Sequence, residues 1–212
     1  MGSIMYSHPR VYEFFMRTMH GSGLSERYRL IASEVGRSKN VFEVGCGTGL
    51  PAGFLHDSCV YQGIDLNDSF VDYAKAKGLD VRHGNMFDES NYNGSDVILV
   101  CDVLHHITPN HGKLIDLCKS KSGKVIICEP YKKKGFVEDF MSKLRSNKLV
   151  HSIFGDGDGI NAFEDMVEWN SLEYEDVHSM MREFGAKKIV NVGSHLVGVI
   201  EVGASSGKAH TS

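Results

Sequence analysis

Val41-Phe42-Glu43-Val44-Gly45-Cys46-Gly47-Thr48-Gly49 is a short, mostly apolar run that ends in three alternating glycines. The run reads as a buried strand, because a strand covered on both faces is nearly continuous in apolar side chains. Glycines directly after such a strand let the backbone approach a ligand and expose amide groups at the next element. A P-loop needs Gly-x-x-x-x-Gly-Lys-Ser/Thr, and Leu50, not lysine, follows Gly49. A dinucleotide loop needs Gly-x-Gly-x-x-Gly. Here the glycines fall at 45, 47 and 49, one residue tighter, which lowers that reading without removing it.

Downstream, further apolar runs are expected as strands at 60–64, 80–83, 96–101 and 124–128, with helices at 69–77 (stopped by Gly78) and 113–119. A helix at 136–149 and a glycine-rich loop at 155–159 follow, then a helix at 174–184. Two β-rich runs, 188–192 and 196–202, are separated by Gly193-Ser194-His195, a hairpin length. Upstream, Val11, Phe14, Phe15 and Met19 recur at helical spacing after Pro9, and Gly21-Ser22-Gly23 breaks the run. Ser25 then reads as the cap of a second helix carrying Tyr28, Leu30, Ile31 and Val35. Strands alternating with helices imply an α/β fold with a doubly wound, mostly parallel sheet that ends in an antiparallel C-terminal hairpin. One domain is expected over 1–203, with N-terminal helices in 1–36 and a lid insert at 131–171. The small polar stretch 204–212 is expected to be a mobile tail.

Composition sets bounds on function. The 212 residues are 42% hydrophobic and 24% charged, with a formal net charge of −4 and no long basic run. That weakens a nucleic-acid role without excluding a local basic patch. Five cysteines without a Cys-x-x-Cys pattern read as reduced thiols of a cytoplasmic protein, and no metal site is expected from their spacing. No apolar run approaches the ~20 residues that span a bilayer, and no signal-peptide pattern opens the chain, so no membrane association is expected. Nothing in the sequence sets an oligomeric state.

Three acids follow strands: Glu43 ends the first, Asp65 follows the second and Asp102 the fourth. All three should gather at the carboxyl edge of the sheet, where open α/β sheets bind ligands. Asp65 lies 20 residues after Gly45, the spacing of a ribose-binding acid. Several acids around one crevice suit a ligand bearing a sulfonium and an ammonium better than a pyrophosphate.

The nine residues quoted first resemble the first motif of the class I S-adenosylmethionine-dependent methyltransferases. Gly63-Ile64-Asp65-Leu66 is similar to their second motif, Gly84-Asn85-Met86-Phe87-Asp88 to their adenine-contacting motif, and Cys101-Asp102-Val103-Leu104-His105-His106-Ile107 to the one after strand four. The resemblance runs from about Val41 to Pro130. It implies a Rossmann-like seven-stranded fold, S-adenosylmethionine as cofactor and methyl transfer as the activity. It also implies residue roles. Gly45, Cys46 and Gly47 would back the methionine part of the cofactor. Glu43 would organise that loop and the cofactor's amino group. Asp65, with Leu66, would take the ribose, and Asn85, Met86 and Phe87 the adenine. The backbone of Cys101 or Asp102 would meet the ammonium. Many members carry Asp where Asn85 stands; Asn still offers a carbonyl acceptor.

His105 and His106 are the candidate general bases, since imidazole titrates near neutral pH. Glu129 and Tyr131 are lesser candidates at the end of strand five. His151 and Trp169 fall in the insert, and Phe14, Phe15 and Met16 could cap the cofactor. Lys132-Lys133-Lys134 could draw an anionic substrate to the cleft. Asp156-Gly157-Asp158-Gly159 lacks the ligand set of a calcium loop. A small-molecule acceptor is the leading expectation. RNA or protein acceptors, or cofactor binding without transfer, are the alternatives.

Overall fold

The computed structural model describes residues 8–132 and 172–203, apart from the side chains of Met19 and His20. In chain order the elements are α1 (Pro9–Val35), β1 (Asn40–Val44), β2 (Val60–Asp65), α2 (Asp68–Ala76), β3 (Asp80–His83), β4 (Ser95–Cys101), α3 (His111–Lys121), β5 (Ser122–Pro130), α4 (Tyr174–Glu183), β6 (Lys188–Val192) and β7 (His195–Glu201). Seven strands form one sheet in the order β3-β2-β1-β4-β5-β7-β6. Six strands run parallel and β7 runs against both of its neighbours, β5 and β6. This is the doubly wound, Rossmann-like sheet with an antiparallel C-terminal pair that the alternation of elements predicts.

Burial explains the pattern. Val97, Ile98, Leu99 and Val100 of β4 are all buried, as are Val125, Ile126, Ile127 and Cys128 of β5, because helices cover both faces of the central strands. One face packs Phe42, Val44, Ile98 and Ile127 with Leu114, Ile115 and Met181 from α3 and α4. The other packs Val41, Val97, Leu99 and Ile126 with Leu24, Tyr28, Ile31 and Val35 from α1. Apart from β3 and β6, the strand ends differ from the expected ones by one or two residues, mostly because backbone pairing continues past the apolar side chains. Thus β5 reaches Pro130, opposite His195.

The N-terminus departs from expectation. Helical structure runs from Pro9 to Val35, broken only at Gly21 (φ 50°, ψ −131°). Ser25 is therefore an interior residue and not a cap, and Gly21 alone makes the break. The arm after Gly21 is core; the arm before it is held by side-chain contacts. Glu13 Oε1 lies 2.8 Å from Lys77 Nζ, which also donates to the Thr48 carbonyl at 2.8 Å.

Beyond β5, the Lys132 amide donates to the Leu172 carbonyl at 2.7 Å, so the chain returns to α4 beside the point where it left the sheet. The helix expected at 136–149, the glycine-rich loop at 155–159, His151, Trp169, Lys133, Lys134, most of the 131–171 insert and the 204–212 tail lie outside the described residues. Among the described residues, no helix is long and apolar enough to cross a membrane.

Candidate active site

β1 sits between β2 and β4, which are reached by connections on opposite sides, so a crevice opens at the carboxyl ends of these strands. The loop after β1 fills it. Gly45, Gly47 and Gly49 take positive φ values of 64°, 52° and 72°, a region that side chains disfavour. At Gly45 the constraint is double: an added Cβ would stand 2.6 Å from Val103 Cγ2. The Cys46 amide donates to the Ile64 carbonyl at 2.9 Å and the Gly47 amide to Asp65 Oδ2 at 2.7 Å, which ties the loop to the end of β2. Asp65 Oδ1 accepts from the Asn67 amide at 2.8 Å.

A cavity opens above this loop. Its wall includes Glu43, Gly45, Cys46, Gly47 and Thr48 from the first motif, Asp65 and Leu66 from the second, Met86 from the third, and Cys101, Asp102, Val103, His106 and Ile107 from the fourth. Four separate stretches of sequence are thereby brought to one place. Asn85, Phe87 and His105 do not border the cavity. Asn85 Oδ1 accepts from the Phe87 amide at 2.9 Å, fixing the turn that carries Met86 inward.

The three acids sit in three different environments. Glu43 is buried in β1 and accepts from the Tyr61 hydroxyl at 2.5 Å; burial pushes its carboxyl up to about 8, although the Tyr61 contact pulls the other way. Asp65 receives two backbone amides. Asp102 is a non-glycine residue at φ 56°. Its carboxylate meets Arg27 Nη2 at 2.8 Å and His195 Nε2 at 3.1 Å. Burial opposes its ionisation, but the Arg27 guanidinium and His195 outweigh that and hold it well below the usual carboxylate range. Only part of the acidity read from the sequence therefore faces the crevice uncompensated.

The turn after β4 is organised from behind. Glu129, fully buried, accepts at Oε1 from the amides of Val103 (2.8 Å) and Leu104 (2.7 Å), and its Oε2 lies 2.8 Å from His105 Nδ1. Glu129 thus faces the turn and not the crevice, which corrects its expected place as a base candidate. Tyr131 is likewise turned away, donating to Asn191 Oδ1 and to the Gly193 carbonyl. The His105 and His106 rings lie 4.1 Å apart, and His106 is the one on the cavity wall.

Sequence reading missed the roof. Tyr12 and Tyr28 of α1 line the cavity, and Tyr12 packs on Phe70 with ring centroids 4.9 Å apart. Phe14, expected to cap the site, is 72% exposed. The signal for Arg27 was present: it falls on the apolar face formed by Leu24, Tyr28, Ile31 and Val35, where a charged side chain calls for a buried partner. Among the described residues, no group of three His, Cys, Asp or Glu side chains is placed to hold a metal ion.

Residues 42–120 match the family model described as a methyltransferase domain. The match covers 79 of the 212 residues. Over that stretch the chain resembles a methyltransferase domain. The matched stretch spans β1 to α3 and holds all four cavity motifs except the start of the first. Solved structures with the same fold include the CurJ carbon methyltransferase (18% identity, TM-score 0.56, covering 78% of this chain and 49% of that one). The S-adenosylmethionine-dependent methyltransferase SibL is also similar (18% identity, TM-score 0.62, 92% and 59%). So is the magnesium protoporphyrin IX methyltransferase of Synechocystis with S-adenosylhomocysteine bound (13% identity, TM-score 0.58, 86% and 83%). The chain thus spans about half the length of the CurJ enzyme and 59% of SibL. No curated protein matches it in sequence.

Proposed function

We propose that this domain transfers the methyl group of S-adenosylmethionine to a small-molecule acceptor, in the cytosol. The observation that carries the reading is the Gly45–Gly49 loop, turned through left-handed conformations between Glu43 and Asp65 under a roof of Tyr12 and Tyr28. The cavity fits the cofactor on two counts. At Gly45 no side chain could be added, so the backbone itself forms the surface. Thr48 Oγ1 is buried on the cavity wall without a hydrogen-bond partner among the described residues, an arrangement that suits a polar ligand.

In this reading the backbone of Gly45, Cys46 and Gly47 and the Thr48 hydroxyl hold the methionine end. Asp65 keeps acceptor capacity beyond its two amide contacts and takes the ribose hydroxyls. Leu66 and Met86 flank the adenine, with Asn85 and Phe87 framing the turn at its edge. The backbone at Cys101 and Asp102 receives the ammonium. The cofactor supplies a methyl carbon already activated by positive sulfur. The chain supplies positioning, which contributes up to ~7–11 kcal/mol in favourable cases. Where the acceptor must lose a proton, His106 on the cavity wall is placed to take it, an effect of ~10²–10⁴-fold. His105, held by Glu129, positions the turn.

Small acceptors are favoured because α1 roofs the cavity and the net charge is −4. The magnesium protoporphyrin IX enzyme, which shares the fold, is named for an acceptor of that size. The unpaired cysteines, four of them buried, fit a reducing compartment. A screen of metabolites and transfer RNA with an isotope-labelled methyl donor tests the acceptor class. Label on a metabolite supports it; label on transfer RNA alone contradicts it.

A further inference from the structure

We propose that Tyr28 is a cofactor-binding residue: its hydroxyl, oriented by Arg27, donates together with the Thr48 hydroxyl to the carboxylate at the methionine end of the cofactor. The inference rests on reading the pocket as an S-adenosylmethionine site.

The methyl donor and its demethylated product share one amino-acid end, an ammonium and a carboxylate. A carboxylate that leaves water needs hydrogen-bond donors or a cation in return. Among the described residues the cavity wall presents no lysine or arginine, and three of its side chains, Glu43, Asp65 and Asp102, are carboxyl groups themselves. The glycine loop has few amides to spare. Those of Cys46, Gly47 and Gly49 donate to the Ile64 carbonyl, to Asp65 and to the Cys46 carbonyl. The ligand carboxylate therefore depends on side-chain hydroxyls with a hydrogen to give. Two buried wall residues meet that need. Thr48 Oγ1 has no partner among the described residues. The Tyr28 hydroxyl oxygen accepts from Arg27 Nη2 at 3.2 Å. That contact occupies a lone pair and leaves the hydroxyl hydrogen, which finds no acceptor among the described residues. Arg27 cannot take it, because a guanidinium only donates. Asp102 fixes that guanidinium, 2.8 Å from Nη2. A hydroxyl that accepts from a cation is polarised and donates more strongly.

Packing sets Tyr28 over the methionine end of the cavity. Its ring packs on Phe54, centroids 5.4 Å apart, in the short helical turn Pro51–Phe54 that directly follows the glycine loop and Thr48. The other roof residue, Tyr12, packs instead on Phe70 of α2, the helix that begins just after the ribose acid Asp65. The roof is thus divided: Tyr12 covers the nucleoside end and Tyr28 the amino-acid end. The ammonium goes to the end of β4, where Cys101 and Asp102 present backbone, and Asp102 is the residue that Arg27 holds. Arg27 therefore serves both halves of the amino-acid end, through Asp102 for the ammonium and through Tyr28 for the carboxylate.

Calorimetric titration of the full chain, as wild type and as Tyr28→Phe, with three ligands tests this: S-adenosylmethionine, S-adenosylhomocysteine, and S-adenosylmethionine lacking its carboxyl group. Losing a hydrogen bond to a charged group should weaken the first two on the order of 10- to 100-fold. The decarboxylated ligand has no such bond to lose and should bind both proteins alike. Thr48→Val should show the same selectivity for ligands that bear the carboxyl, and this check stands if Tyr28→Phe does not fold. Carbon-13 in the carboxyl of S-adenosylhomocysteine gives a second reading that does not depend on the decarboxylated ligand: its bound resonance should move between wild type and Tyr28→Phe. Equal weakening of all three ligands would make Tyr28 a packing residue of the roof and overturn the inference. Unchanged affinity for S-adenosylmethionine, or a carboxyl resonance that stays in place, would overturn it too. Each of these results leaves the pocket a cofactor site. Binding of none of the three ligands to wild type would overturn the reading of the pocket and the inference with it.

Discussion

Arg27 and Asp102 form a bidentate ion pair, 2.8 Å from Nη2 to Oδ2 and 3.3 Å from Nη1 to Oδ1, that ties helix α1 to the carboxyl end of β4. The pair joins the roof of the cavity to its floor. Tyr28, the next residue along α1, lines the cavity, and Asp102 borders it from below.

Breaking this pair from one side should be costly. Arg27 is 1% exposed, so Arg27→Met leaves the poorly hydrated Asp102 carboxylate with His195 as its remaining partner among the described residues. Losing one partner of a buried pair destabilises by about 3–5 kcal/mol. Chemical denaturation of the variant should show a loss in that range. The pH dependence has a definite sign. Asp102 is held below its unfolded value, so its stabilising contribution is present above about pH 4 and lost as pH falls below that. Wild type should lose stability through that acid window more steeply than Arg27→Met.

Glu129 makes a second fixed point. Its carboxylate is the acceptor for two successive amides and the partner of the His105 ring. Glu129→Ala strands these groups at about 1–3 kcal/mol each, so thermal melting should fall sharply. Glu129→Gln keeps one acceptor oxygen for the amides and should be milder. Equal melting temperatures for the two variants would mean that the amide contacts contribute little.

Gly45 and Gly53 offer a matched comparison. An alanine at Gly45 must adopt φ 64° and meets Val103, whereas an added Cβ at Gly53 meets nothing within 4 Å. Gly45→Ala should lose about 1–3 kcal/mol of stability and most of the cofactor affinity. Gly53→Ala should stay close to wild type in both denaturation and calorimetry.

Asp65 serves the loop and, in the proposed reading, the ribose. Asp65→Ala should weaken S-adenosylmethionine binding on the order of 100-fold, since hydrogen bonds to a charged group contribute about 1.5–3 kcal/mol each. Affinity retained within a few-fold in calorimetry would mean that Asp65 only holds Gly47.

The sheet was legible in the sequence because its strands are short apolar runs set off by glycines and polar turns. β3 and β6 fall where the residues place them, and the motif residues Glu43, Gly45, Asp65, Met86 and Asp102 do share one cavity wall. What the sequence hid is long-range. His195 reaches Asp102 across 93 residues of chain, Arg27 across 75, and Glu129 holds a turn 24 to 26 residues before it. No local spacing encodes such partners. The glycine pattern at 21 and 23 showed a break in α1 but not that helix resumes at once, since one residue of positive φ is enough to redirect the chain. Which of two adjacent histidines faces the cavity also depended on Glu129, a contact made in space and not along the chain.

What the Gly45–Gly49 loop binds decides the proposed function. Calorimetric titration of the purified chain with S-adenosylmethionine and, separately, with NAD measures this. Saturable binding of S-adenosylmethionine, and none of NAD at the same concentrations, is the expected result. Binding of NAD without S-adenosylmethionine would contradict it.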